Sequence, residues 1–266
     1  MQLKMKLKSL IQIILVGASS MSCLGIVACQ GSQSVDIRAD QYFKNNEIDI
    51  YEFNQYGMTI AQFSGAFDFI YIPKKADSLK TLAEKNHYDY VINGSFFDGT
   101  YAEAKHAGWL WVLGQNYTPI KQDRQLTHVV VYNTKNQQIQ FVDYHSFTPS
   151  RSSDFIEFQT GPIVVENNQV IQNYIANSFN GLGPYKRSLL AITDDNTKYF
   201  ITVRKPVRLD NLAHYLLSLK LFAGKRLDVL NLDGGPSVAL YSKEQINLRY
   251  NDKAQLPILL GVRKVK

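Results

Sequence analysis

Short stretches of apolar or alternating residues, separated by polar turns, recur from residue 48 onward and constrain the fold most strongly. Stretches of about four to eight such residues are typical of β-strands. They predict strands at 48–55, 66–72, 88–92, 108–113, 127–132, 138–144, 162–166, 169–172, 188–193, 199–204, 228–232, 238–241 and 257–262. Polar pairs such as Asn167-Asn168 lie between neighbouring strands, as in hairpins.

Helical periodicity is convincing in only two segments, residues 76–86 and 210–222, which place their leucines on one face. Asp210 is the predicted N-cap of the second helix, and Gly224 is its predicted end. We therefore predict an α+β fold, a strand-rich single domain with a mixed sheet and two main helices.

The first 28 residues have the pattern of an export signal. Three lysines precede an apolar stretch at residues 10–16, which is short and followed by small residues. The segment Ile26-Val27-Ala28-Cys29 resembles a bacterial lipobox, at which a signal peptidase cuts before a lipidated cysteine. A membrane anchor and a signal peptide without lipid are the alternatives.

These features predict three regions. Residues 1–28 form a lipoprotein signal peptide, residues 29–47 a tether with lipid on Cys29, and residues 48–266 one domain. Cleavage removes three basic residues and no acidic ones, which lowers the formal net charge from +6 to +3. So small a charge argues against a nucleic-acid partner. Since Cys29 is then the only cysteine and carries lipid, no disulfide is expected, and the core alone must stabilise the domain.

Two polar, glycine-containing segments each follow a predicted buried strand. One reads Asn93-Gly94-Ser95-Phe96-Phe97-Asp98, and the other reads Asn231-Leu232-Asp233-Gly234-Gly235-Pro236-Ser237. Glycine permits positive φ and a close approach of the backbone to a ligand. Because a predicted helix also precedes each of the two strands, we expect two similar helix–strand–glycine units to build a single site.

Four segments, in this order along the chain, resemble motifs of the phosphodiester glycosidase family. They are the segment at Asn93, the segment 160–164, the triplet Lys186-Arg187-Ser188 before a strand, and the segment at Asn231. The resemblance extends from about residue 50 to the C-terminus. One departure is Ala191, which stands where the family has glycine. Membership would imply hydrolysis of sugar phosphodiesters.

Cleavage of a sugar-1-phosphodiester needs a group that holds the phosphate and a carboxylate that acts as base or nucleophile. Arg187 is the predicted phosphate clamp, because its planar fork can donate two parallel hydrogen bonds. Asp233 is the predicted catalytic carboxylate, and Asn93 is expected to direct an amide at the substrate. A surface ion pair for Arg187 and turn formation for the other two are the structural alternatives. The other predicted substrate-binding residues are Gly94, Gly161, Asn231, Gly234, Gly235 and Ser237.

A second catalytic carboxylate is harder to assign from the sequence. Asp98 is the prediction because it lies nearest to a motif, and Glu103 and Glu157 are the alternatives. His106 lies in the following loop, where it acts as a general acid or is simply solvated.

Other enzyme classes fail on particular residues. A nucleophile elbow at residues 235–239 has Ala239 in place of glycine, and no histidine follows His214. The glycines at 181 and 183 lack the third glycine of a dinucleotide-binding motif, and no His/Cys cluster has zinc spacing. The triplet Asp194-Asp195-Asn196 suits a hairpin turn better than a cation site. We therefore expect no cofactor and no metal.

The expected function is that of an exported, lipid-anchored glycosidase that cleaves sugar-1-phosphodiester or related glycosidic linkages in glycans. Its partners would be a carbohydrate or sugar-phosphate substrate and the membrane, through the lipid on Cys29. In a Gram-negative cell, Gln30 after that cysteine favours the outer membrane, facing the periplasm or the cell surface. The alternative is a glycan-binding envelope lipoprotein that lacks catalysis.

Overall fold

The structure, a computed structural model, describes residues 39–43, 47–74, 76–100 and 103–264. The predicted signal peptide, Cys29 and most of the predicted tether lie outside these residues. In the part that is described, no helix is both long enough and apolar enough to cross a membrane.

The described residues form 19 strands and three α-helices. The helices are α1 (Leu79–Lys85), α2 (Gln172–Asn177) and α3 (Leu209–Ser218). The strands are β1 (Gln41–Phe43), β2 (Ile48–Phe53), β3 (Met58–Phe63), β4 (Asp68–Tyr71), β5 (Tyr90–Asn93), β6 (Phe97–Thr100), β7 (Glu103–His106), β8 (Leu110–Val112), β9 (Gln115–Thr118), β10 (His128–Asn133), β11 (Ile139–Asp143), β12 (Phe155–Thr160), β13 (Ile163–Glu166), β14 (Gln169–Val170), β15 (Tyr185–Thr193), β16 (Lys198–Val207), β17 (Leu227–Asn231), β18 (Leu240–Ser242) and β19 (Ile258–Val262).

The strands form four sheets. The largest has the order β1-β2-β3-β16-β15-β17-β13-β14, and the others are β11-β10-β12-β8-β9, β18-β5-β19-β4 and the pair β6-β7. Every pairing between described strands is antiparallel, so the predicted mixed sheet is wrong. Many sequence neighbours, such as β2-β3 and β15-β16, pair directly through hairpins, which can only join antiparallel strands. The domain is strand-rich, as predicted, and mostly β.

A central apolar core lies between the eight-stranded sheet and the five- and four-stranded sheets. Leu190 and Phe200 of the large sheet share this core with Phe158, Ile92 and Leu260 of the other two. Alternate residues of the large sheet point to its other face, where they meet α2 and α3. Helix α1 covers the outer face of the four-stranded sheet. The eight- and four-stranded sheets are therefore covered on both faces, which explains the continuous apolar runs of their central strands.

Both predicted helices exist, but their ends differ from the prediction. Helix α1 begins after Ser78, whose hydroxyl accepts a hydrogen bond from the Thr81 amide. Helix α3 begins after Arg208, and Asp210 lies in its first turn, where its carboxylate pairs with the Arg208 guanidinium. Asp210 is therefore not the N-cap. A short 3₁₀ turn follows α3 and ends before Gly224, which has φ +77°.

Candidate functional site

The site is built where β5 and β17, strands of two different sheets, end beside each other. Each strand ends at an asparagine, Asn93 on β5 and Asn231 on β17. The chain after β17 then crosses to the end of β5, where the Asp233 amide donates a hydrogen bond of 3.1 Å to the Gly94 carbonyl. As predicted from the two polar segments, the two strand ends meet.

Asn93 holds this junction together. Its Nδ2 donates to the Asp233 carbonyl at 2.7 Å, and its Oδ1 accepts from the Ser188 hydroxyl at 2.6 Å and the Ala239 amide at 3.2 Å. The side chain is only 2% exposed and does not line the cavity described below. Protein groups use both ends of the amide, so the structure gives Asn93 a positioning contact, and its role in binding substrate stays a prediction.

A cavity of about 210 Å³ lies beside this junction. It is lined by Phe96, Gln125, Asn180, Tyr185, Arg187, Asn231, Asp233, Gly234, Gly235 and Pro236. Three predicted polar residues, Arg187, Asn231 and Asp233, therefore share one cavity with the predicted glycines of the last motif. Among the described residues, Asp233 is the only carboxylate in its wall.

Asp233 has the electrostatics of an acid–base residue. Burial raises the pKa of its carboxyl to about 6, although hydrogen bonds from the Ser237 hydroxyl and the Gly234 amide oppose that rise. The Gly234 amide lies 2.8 Å from Oδ1. A carboxyl with such a pKa is mostly ionised at neutral pH and still exchanges protons readily. Ser237 is buried and does not line the cavity, so its hydroxyl binds the Asp233 carboxylate from the interior of the protein.

The two glycines after Asp233 are needed for the shape of this turn. Gly235 has φ +59°, a conformation that side chains disfavour. At Gly234 a Cβ atom would lie 2.8 Å from the Lys186 carbonyl oxygen, so any larger residue would push the turn away from β15. Both glycines thus let the backbone that carries Asp233 lie close to the strand that carries Arg187.

Arg187 is a buried cation in the cavity wall. Its side chain is 3% exposed, and desolvation lowers the pKa of the guanidinium to about 10. Nε donates to the Val207 carbonyl at 3.2 Å, while Nη2 donates to the Asn180 and Gly183 carbonyls at 2.7 Å each. No carboxylate of the described residues pairs with it.

These contacts change the role predicted for Arg187. The hydrogens of Nε and Nη2 are used by carbonyls, so the fork is not free to clamp a phosphate with two nitrogens. Nη1 makes no hydrogen bond within the described part of the chain. Arg187 can therefore offer an anion in the cavity its full charge and one nitrogen.

Asn231 presents an unused acceptor. Its Nδ2 donates to the Gly161 carbonyl at 3.0 Å and to the Leu232 carbonyl at 2.8 Å, which fixes the orientation of the amide. Its Oδ1 is buried and has no hydrogen-bond partner among the described residues. A buried acceptor without a partner is costly unless a ligand supplies a donor. The structure shows no hydrogen bond between the side chains of Asn231 and Asp233.

Gly94 and Gly161 shape the surroundings and do not line the cavity. A Cβ at Gly94 would lie 2.6 Å from Ile258 Cγ2, so close packing against β19 requires glycine there. Gly161 has φ +148°, and its carbonyl accepts hydrogen bonds from Asn231 and Gln125. Both residues act through packing and backbone geometry.

The candidates for a second carboxylate lie elsewhere. Asp98 and Glu103 line a separate cavity at the β6–β7 hairpin, and Asp98 forms an ion pair with Lys121 at 3.3 Å. Glu157 is buried and accepts hydrogen bonds from the Trp109 indole and the Ser150 amide. His106 is also buried, not solvated, and burial lowers its pKa to about 4. None of the four lines the cavity around Asp233.

Sequence reasoning did not single out Gln125, Asn180 or Phe96 of the cavity wall. Gln125 links two loops of the cavity wall, because its Nε2 donates to the Gly161 carbonyl and its Oε1 accepts from the Phe179 amide. Only Phe96 carried a signal, its place inside the first polar motif. The others are brought in by long-range folding. No cluster of metal-ligating residues occurs among the described residues.

Comparison with known proteins identifies the family. A family model described as phosphodiester glycosidase matches residues 86–263. The chain belongs to the phosphodiester glycosidase family. That match includes all four motif segments and every residue of the cavity wall. A comparison with curated protein sequences finds no match.

Solved structures agree on the fold. The catalytic domain of zebrafish N-acetylglucosamine-1-phosphodiester alpha-N-acetylglucosaminidase, auto-inhibited by pro-peptide, matches with a TM-score of 0.57 at 11% identity, over 85% of this chain and 83% of that one. A candidate exported protein of Burkholderia pseudomallei K96243 matches with a TM-score of 0.54 at 7% identity, over 82% and 74%. At such low identities the likeness shows the fold alone.

The Asn93→Ala variant should lose stability through the junction. It leaves the Asp233 carbonyl, the Ser188 hydroxyl and the Ala239 amide without their partner in a buried place, which should cost about 2–4 kcal/mol. Urea unfolding measures the loss. Asn116→Ala, on an exposed strand residue, is the control and should stay within about 0.5 kcal/mol. Equal stabilities of the two variants would show that the junction does not depend on Asn93.

Asp233 should make stability depend on pH in a defined direction. Its pKa is raised on folding, so the folded chain keeps this proton at pH values where the unfolded chain has lost it. The contribution of the Asp233 carboxyl to the free energy of unfolding of the wild type is therefore lost as pH rises from about 4 to about 6. Asp233→Asn lacks this effect, so the variant should gain about 2–3 kcal/mol relative to wild type between pH 4 and pH 8. A difference that does not change with pH would contradict the raised pKa.

Proposed function

We propose that this protein is an exported, lipid-anchored glycosidase that cleaves a sugar-1-phosphodiester or a related glycosidic linkage in glycans. One observation carries the proposal: Asp233, with a raised pKa, and Arg187, a buried cation that pairs with no carboxylate of the described residues, line the same cavity. Family membership supports the reaction class.

The uncompensated charge of Arg187 favours an anionic ligand. Keeping a guanidinium buried without a counter-ion is costly, and a phosphodiester would supply the missing negative charge. The free Nη1 then donates to a phosphate oxygen while the backbone carbonyls hold the rest of the group in place. Arg187 thereby orients the phosphate and stabilises it as it leaves.

Asp233 acts on the sugar side of the linkage. Breaking the bond between the anomeric carbon and the phosphate oxygen releases a phosphate anion, which needs little help from an acid. One ionised carboxylate then suffices, as a base that activates water or as a nucleophile. Asn231 lines the same cavity, and its hydrogen bonds to the Gly161 and Leu232 carbonyls hold the end of the strand from which the Asp233 turn begins.

A non-catalytic glycan-binding protein is the second candidate function. The observation that favours it is the single carboxylate in the cavity wall, because most glycosidases use two. The two candidates differ in their products. Incubation with sugar phosphodiesters followed by detection of new reducing ends identifies an enzyme, whereas saturable binding without new reducing ends identifies a binding protein.

The Asp233→Asn variant tests the enzymatic proposal. It should fold, yet lose roughly a hundredfold or more of kcat on a chromogenic sugar-1-phosphodiester, because the amide can neither accept a proton nor attack. Asp98→Asn is the matched control and should keep its turnover, since Asp98 lines a different cavity. Undiminished turnover by Asp233→Asn would remove this residue from the mechanism.

The pH dependence of kcat/KM for the wild type tests the role of Asp233 in the same assay. Both roles of Asp233 require the ionised form, so kcat/KM should rise with pH through a value of about 6 and then level off. A profile that falls through pH 6 would instead assign Asp233 the role of a general acid.

Export and lipid attachment rest on the N-terminal sequence and are tested there. The wild type expressed in a bacterial host should incorporate labelled fatty acid and sediment with membranes. Cys29→Ala should lose the label and keep its leader, since the cleavage that accompanies lipidation requires the cysteine. Label on the alanine variant, or none on the wild type, would reject the lipoprotein proposal.

A further inference from the structure

Three large apolar side chains are exposed between the end of α2 and the first residue of β15. Phe179 is 76% exposed, and Leu182 and Tyr185 are 42% exposed each. We call these three side chains the apolar rim. Single exposed apolar residues are common on protein surfaces, but three within seven residues beside a cavity suggest a contact surface.

The rim is held by an ordered frame. Arg187 Nη2 binds the carbonyls of Asn180 and Gly183, and the Phe179 amide donates to Gln125 Oε1 at 3.1 Å. The Gly181 carbonyl accepts from the Leu209 amide at 3.0 Å. The backbone therefore fixes the exposed position of the rim. Contact of these side chains with water is unfavourable, and a ligand that covers them removes this cost.

The rim continues the cavity outward from the cation. Tyr185 belongs both to the rim and to the cavity wall, and its ring centroid lies 5.3 Å from Arg187 Cζ. Asn180, the neighbour of Phe179, also lines the cavity. The cavity and the rim together thus hold a carboxylate, a buried cation and an apolar surface.

We propose that the apolar rim binds an apolar aglycone, so that the substrate is an amphiphile in which a phosphodiester joins a sugar to an alkyl or prenyl chain. The sugar lies at Asn231 and Asp233, the phosphate at Arg187 and the chain on the rim. This proposal rests on the proposed function, because it identifies the group on the far side of the phosphate. It makes Phe179 and Leu182 specificity-determining residues.

The test compares two esters of the same sugar 1-phosphate, one with a methyl and one with an octyl group, both below the micelle concentration. Wild type should turn over the octyl ester with a kcat/KM at least about tenfold higher, the ratio expected from burying about two methylene groups. In the double variant Phe179→Ser/Leu182→Ser this ratio should fall towards one. Leu113→Ser, which removes an exposed leucine from the turn between β8 and β9, is the control and should keep the wild-type ratio.

Two results would overturn the proposal: a wild-type ratio near one, or a double variant that keeps the wild-type ratio. If neither ester is turned over, the enzymatic proposal fails separately, and the Kd values of octyl phosphate and methyl phosphate for wild type and double variant test the rim alone.

Sedimentation with phosphatidylglycerol vesicles distinguishes a chain that belongs to the substrate from one that belongs to a membrane lipid. If the double substitution abolishes sedimentation with vesicles that lack sugar ester but leaves the ester ratio unchanged, the rim contacts membranes and the proposal is wrong.

Discussion

The side-chain amide of Asn93 is the interaction on which the site depends. It is the point where the four-stranded sheet, the eight-stranded sheet and the turn at Asp233 are joined, through the Ser188 hydroxyl and the Asp233 carbonyl. An amide suits this place because it donates and accepts at once, whereas a carboxylate could only accept. The geometry of the turn that carries Asp233 is thus set by a residue that does not line the cavity.

The same site carries two charges that the protein leaves uncompensated. Burial raises the pKa of Asp233 and lowers that of Arg187, so in each case the charged form is the disfavoured one. An ion pair between the two would have relieved both shifts, and no such pair forms. Buried charged groups without an ion pair lower the stability of the ligand-free protein, and a ligand of complementary charge relieves this cost. Perturbed pKa values in a cavity therefore point to function.

Much of the molecule follows from local sequence pattern. Each predicted strand and both predicted helices exist, because alternating and 3.6-residue periods are local properties. Strand β3 was missed although all but one of its residues are buried, since its mixed sequence Met-Thr-Ile-Ala-Gln-Phe gains its order from pairing with β2 and β16. Helix α2 was missed because it is too short to show a period. The same limit applies to the site: the motifs located Asp233 and Arg187, whereas Asn180 and Gln125 reach the cavity only through tertiary contacts.

The contacts of Arg187 join the cavity to the apolar rim. Its Nη2 fixes the backbone at Asn180 and Gly183, on the segment that carries the apolar rim, while its Nη1 remains for the ligand. Lysine could supply the charge but not the planar set of donors that binds two carbonyls from one nitrogen and a third from Nε. If Arg187 binds phosphate as proposed, a shift of the guanidinium would move the rim, and a chain bound on the rim would in turn hold the guanidinium in place. In the proposed enzyme, phosphate recognition and aglycone recognition would therefore depend on one set of contacts.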